Sequence, residues 1–200
     1  MKTDRIAVNN SGHGMENALD EVEAFSRSMG FNEKSALRAR LLAEETMSMV
    51  RAIVGDFKAD FWMESSRSCN CELHLLAVAD IDYRMKQDLI SASTRERNEA
   101  SVGIMGKIKD FIEGSLFYMA NGTAMPIGED YLIGSINCAE IHQWSLQQYR
   151  KEVEQGDDED EDMDALLDEL EKSIVANIAD DIRVSVEGNQ VEMIIRKNFP

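Results

Sequence analysis

Residues 36–53, ALRARLLAEETMSMVRAI, read as a helix, and the placement of one residue in it bears on the whole chain. Leu37, Leu41, Met49 and Ile53 fall on one series of four-residue steps, which predicts an apolar stripe. Glu45 fills the slot between Leu41 and Met49. An ionised carboxylate is costly to bury unless it is paired or hydrogen-bonded. The pattern therefore predicts one of two things: a polar cleft along this helix, or a glutamate at the flank of the stripe that reaches solvent. In the first case Glu45 is a candidate general base beside a ligand.

Working outward, Ile6-Ala7-Val8 predicts a first strand. A helix over 14–29 follows, with Ser11 as a candidate cap and Gly30 as its stop. Asn32 is the candidate cap of the helix at 33–54, which Gly55 ends. Phe57, Ala59, Phe61 and Met63 alternate with polar residues, as in a strand with one buried face. The run CELHLLAVAD, 71–80, is apolar on both faces beyond His74 and predicts a central strand. Helical patterns recur at 84–98, at 101–120, near 136–154 with Trp144 inward, and at 163–178. The segment 182–195 reads as a hairpin turning at Gly188-Asn189. The order predicts an α+β fold: a two-layer sandwich with helices on one face of a mixed, mostly antiparallel sheet. With no linker dividing it, the chain reads as one domain over 1–200, with an insertion at about 120–165.

Composition narrows the function classes. The net charge of −17 repels phosphate backbones and anionic lipid, so nucleic-acid and membrane binding are not expected. No signal-peptide core or apolar run of membrane-spanning length occurs, and three cysteines suit a reducing compartment, so the expected location is the cytoplasm. The acidic loop 157–164, DDEDEDMD, reads as a solvated loop or as a docking element for a basic partner. Cys69, Cys71 and His74 form C-x-C-x-x-H, and Cys138 and His142 form C-x-x-x-H. On a strand, 69 and 71 share a face with 73 and not with 74, so structural reduced cysteines are expected rather than zinc ligands. His13 reads as part of an exposed turn. The twelve methionines read as core filler, and core placement is expected for Trp62 and Trp144.

Two further features lie downstream of Glu45. Asp80 ends the predicted central strand, and a carboxylate there can accept a hydrogen bond from an exocyclic amine such as that of adenine. Gly103 and Gly106, in SVGIMGKIK, open a predicted helix, where backbone can approach a phosphate. In this order, LLAEETMSM, AVADID and SVGIMGKIK resemble the motifs of the histidine-kinase-like ATPase superfamily (the Bergerat fold), most nearly its anti-sigma-factor serine kinase branch. The resemblance covers about 5–115 and 165–197 and includes the final hairpin. It implies ATP as the ligand, Glu45 at the catalytic glutamate position, Asp80 as the adenine contact, and Gly103 and Gly106 on the phosphate side.

The motifs depart from that pattern. The magnesium-binding asparagine falls on Met49, Asp82 replaces a glycine after Asp80, and Ser101 replaces the first glycine of the last motif. A thioether is no ligand for a hard cation, so magnesium binding at that position is not expected. Asn9 and Asn10 are the alternative oxygen donors. The resemblance thus implies a regulatory ATP-binding protein with weak or no catalysis, acting through a protein partner. Its alternatives are an active ATPase or protein kinase with a relocated magnesium ligand, and a non-enzymatic interaction module. A helix-mediated homodimer is compatible with each.

Overall fold

The computed structural model describes residues 1–54, 57–66, 70–79, 103–121, 135–138, 141–155 and 173–199. Seven strands form one sheet among them: β1 (Ile6–Asn9), β2 (Phe57–Ser65), β3 (Asn70–Ala79), β4 (Ser135–Cys138), β5 (Ile141–Ser145), β6 (Asp181–Glu187) and β7 (Gln190–Asn198). The spatial order is β1-β2-β3-β7-β6-β5-β4. Every described ladder is antiparallel, so the expected mixed sheet is corrected to an antiparallel one. The helices are α1 (Met15–Ser28), α2 (Glu33–Val54), α3 (Gly103–Asn121), α4 (Leu146–Gln155) and α5 (Ile174–Ile178). The protein is therefore an α+β protein whose antiparallel sheet packs against helices.

The period-2 alternation sorts the strands. Phe57, Ala59, Phe61 and Met63 of β2 are buried, as are Leu73, Leu75 and Ala77 of β3. Val184 of β6 and Met193 and Ile195 of β7 join them in one core cluster with Leu42, Met47, Ile108 and Ile112 of the helices. β3 lies between β2 and β7, as its apolar sequence predicts, with Leu73 opposite Met63 on one side and Ile195 on the other.

Local chemistry sets the joints. Gly14 has φ 76°, and a Cβ there would lie 2.0 Å from the Ala7 carbonyl oxygen, so only glycine lets α1 leave β1 this closely. Ser11 does not cap α1; its hydroxyl donates to Asn9 Oδ1 at 2.6 Å. Asn32 does cap α2, accepting from the Ser35 amide at 2.9 Å. Arg40 of α2 fixes α1 by donating to Asp20 and Glu16 at 2.8 Å each and to Glu23 at 3.4 Å.

The expected helix near 136–154 is corrected. Residues 135–145 form the β4 and β5 strands, with Asn137 opposite His142, and helix begins only at Leu146. Trp144 alternates into the core from β5, opposite Val184. Asp181, 1% exposed, explains the switch from strand to helix. Its Oδ1 accepts from Ser145 Oγ at 3.1 Å and from the Gln147 amide at 3.2 Å, and its Oδ2 accepts from Arg183 at 2.9 Å. The carboxylate thus meets an open amide at the start of α4, where negative charge is favoured. The helix expected at 84–98, the acidic loop and the first part of the helix expected at 163–178 lie outside the described residues; α5 is no continuation through Ser173, which is extended and caps the helix by accepting from the Ala176 amide.

Candidate functional site

The buried face of α2 is not the one that four-residue steps select. Each such step overshoots a helical turn by about 40°, so a series of them winds around the helix. Leu37 is accordingly 65% exposed, Leu41 and Glu45 are half-buried, and Met49 is 4% exposed. The buried face alternates steps of three and four through Ala36, Ala39, Ala43, Thr46 and Val50, with Leu42 and Met47 beside it. Thr46, its hydroxyl group, is satisfied locally by donating to the Leu42 carbonyl at 2.6 Å. Glu45 therefore stands at the margin of the buried face, and the expectation of a carboxylate inside a buried stripe is corrected. The helix meets the sheet there through hydrocarbon.

The elements that carry part of the predicted constellation touch one another. α2, which carries Glu45, packs on β3 and β7 and also contacts α3. Gly103 is the first residue of α3, and Gly106 is half-buried within its first turn. Both glycines thus lie in the opening turn of the helix, as the sequence pattern predicts. β3 ends at Ala79, opposite Phe57, one residue short of Asp80. Asp80 itself, with Asp82 and Ser101, lies outside the described residues.

The residues at the expected metal position do not fit magnesium. Met49 puts a buried thioether one turn beyond Glu45, where a hard cation needs oxygen. Asn9 is no substitute: its Oδ1 accepts from the Ser11 amide and hydroxyl and from the His13 amide within its own loop. Among the described residues, no group of three His, Cys, Asp or Glu side chains is placed to hold a metal ion.

The other candidates resolve by strand parity. Cys71 faces the helices and is buried, and burial, with Glu72 adding to it, pushes its thiol up to about 12. It is no nucleophile at neutral pH. His74 points to the opposite face, as alternation requires, and Cys69 lies outside the described residues. Cys138 and His142 sit on paired strands, not on a helix.

The sequence reading missed what surrounds His74. On the sheet face away from the core, Trp62 and His74 stack with ring centroids 4.8 Å apart and planes 7° from parallel. The Arg5 guanidinium lies 4.2 Å from the Trp62 ring centroid. Glu72 and Glu192 stand 3.6 and 3.5 Å from the two imidazole nitrogens, and Arg196 reaches Glu72 at 2.6 Å. The even-numbered positions of β2 and β3 carried this signal, because one face of a strand holds them all. The row gives the sheet cross-strand cohesion.

No helix among the described residues is long and apolar enough to cross a membrane. Comparison of the chain with family models, with curated proteins and with solved structures finds no match.

Proposed function

We propose that this chain is a regulatory domain of the histidine-kinase-like ATPase type, degenerate at its metal position, that binds an adenine nucleotide weakly and acts through a protein partner. One observation carries the reading. The helix with Glu45, the strand running up to Asp80, the helix opened by Gly103 and the β6–β7 hairpin follow in the order the resemblance implies, and α2 touches both β3 and α3. In this reading the helices cover one face of the sheet as a two-layer sandwich, Asp80 accepts the adenine amine, and the start of α3 meets the phosphate side. Glu45 is the relic of a base. With no oxygen ligand at position 49 to anchor a metal on the phosphates, phosphoryl transfer loses its main source of positioning and charge neutralisation.

A second reading is a non-enzymatic interaction module. The hydrocarbon contact between α2 and the sheet favours it, because the turn that bears Glu45 is packed rather than hollowed. Thermal melting of the full chain against adenine nucleotides separates the two. A ligand present at a hundred times its dissociation constant stabilises by about 2.7 kcal/mol. A concentration-dependent rise in Tm supports nucleotide binding, and a Tm that stays fixed at millimolar concentrations of adenosine, AMP, ADP and ATP leaves the interaction module.

A further inference from the structure

We propose that His74 is a proton-operated latch across the middle of the sheet: as imidazolium it ties Glu72 of its own strand to Glu192 of β7, and as neutral imidazole it releases one of them. The latch lies on the sheet face away from α2 and is independent of any nucleotide.

The order β1-β2-β3-β7-β6-β5-β4 makes the β3–β7 ladder the join between the strands of the first part of the chain and those of the last. His74 stands on that join, opposite Trp62 on one side and Ile194 on the other, and is 8% exposed. Both of its ring nitrogens are buried, and neither makes a hydrogen bond. A carboxylate faces each of them: Glu72 Oε2 is 3.6 Å from Nε2, and Glu192 Oε1 is 3.5 Å from Nδ1.

A neutral imidazole has one N–H and one lone pair, so between two carboxylates it turns the lone pair toward one of them. Imidazolium has two donors and suits both. The gaps exceed an ordinary N–H···O bond by roughly a few tenths of an ångström. The Glu192 side chain, 35% exposed, has room to turn and close its own.

The surrounding charges decide which carboxylate matters more. Arg196 Nε, on β7, is 2.6 Å from Glu72 Oε1 and neutralises much of that charge. On β2, Trp62 stacks on the imidazole and donates to Glu64 at 3.0 Å. Arg5, just before β1, lies over Trp62 and 3.9 Å from Asp60. On β6, Arg183 is opposite Ile194 and donates to Asp181 at 2.9 Å. Each arginine thus has an acid of its own, while among the described residues Glu192 faces only His74. Burial opposes a charge on the ring, and the unshared carboxylate favours it. The tie is complete below the ordinary imidazole range and is lost as pH rises through it.

The test is urea unfolding of the full chain and of its His74→Gln variant between about pH 5.5 and about pH 8.5, where exposed carboxylates stay ionised. His13 and His142 are common to both chains, so their titration cancels in the difference. The loss of midpoint on His74→Gln is expected to be at least about twofold larger at the acid end, and Glu192→Gln placed in both chains is expected to remove that pH dependence. A loss equal at both ends, or a pH dependence that survives Glu192→Gln, overturns the latch. Should His74→Gln fail to fold, two-bond proton–nitrogen NMR spectra of the parent and of Glu192→Gln decide. Both His74 ring nitrogens are expected to carry protons at the acid end and one at the alkaline end, with the change moved to lower pH by Glu192→Gln. A ring whose protonation does not change across the range, or a change that Glu192→Gln leaves in place, overturns the latch as well.

Discussion

Two sides of α2, a few ångströms apart, behave as different materials. One side carries Leu42, Ala43, Met47 and Val50 into the core against the sheet. The other shows Leu37 and Glu44 to water, with Leu41 and Glu45 at the boundary. Both sides have leucines, and composition does not separate them. Angle about the helix axis does. The difference teaches that a carboxylate in an apolar series signals a site only once the phase of the series is known.

That contrast can be broken or sharpened by substitution. The largest effect is expected at Met49, which belongs to the packed side. Met49→Asn buries an amide and removes thioether contacts, costing about 4 kcal/mol in denaturant-derived stability. Were the variant as stable as the parent and magnesium-responsive in nucleotide binding, position 49 would face the ligand and the contrast would fail there. Next come the two leucines. Leu42→Ala is expected to cost about 3 kcal/mol, and Leu37→Ala less than about 0.5 kcal/mol. Equal losses would show that some partner or segment covers Leu37.

A smaller effect is expected in the hairpin, away from α2. Burial opposes ionisation of Asp180, but Lys197 Nζ at 2.5 Å and the Asn198 amide at 2.7 Å prevail and hold its carboxyl below the usual range. A depressed acid contributes stability above the ordinary aspartate range and loses it as pH falls through the lower folded value. Asp180→Asn should therefore cost less than about 1 kcal/mol at pH 7 and should flatten the acid limb of the stability–pH curve. An unchanged acid limb would remove Asp180 from that account. The smallest effect is expected at Glu45: Glu45→Ala should shift stability by less than about 0.5 kcal/mol, since the carboxylate stands at the margin. A large gain in stability would instead reveal a strained, uncompensated charge.

Much of the fold was legible because its signals are local. The bounds of α1 and α2, the alternation of β2, the central place of β3 and the Gly188 turn each follow from periodicity, caps and glycine. The segment 135–155 was not legible in the same way. Its helical pattern ran through Trp144, yet the strand pairing of His142 and Trp144 with Val186 and Val184 decided the structure, and that partner lies about forty residues away in sequence. The buried carboxylate of Asp181 then fixed where helix could start. At the candidate site, the chemistry of Glu45 and Met49 was visible in the sequence, but their exposure was not. Four-residue spacing alone fixes a face over one step and loses it over four. The Trp62–His74 stack was hidden for another reason: it joins two strands across a register that neither strand specifies by itself.

The pairing of β3 with β7, from Asn70 opposite Asn198 to Val78 opposite Gln190, has a consequence for biosynthesis. A nascent chain that has left the ribosome only as far as the acidic stretch holds β2 and β3 together but leaves the far edge of β3 bare. That edge is rich in leucine and stays open from the end of β3 at Ala79 until β7 begins at Gln190, more than a hundred residues later, so the waiting intermediate is a target for chaperones and for mispairing with its own kind.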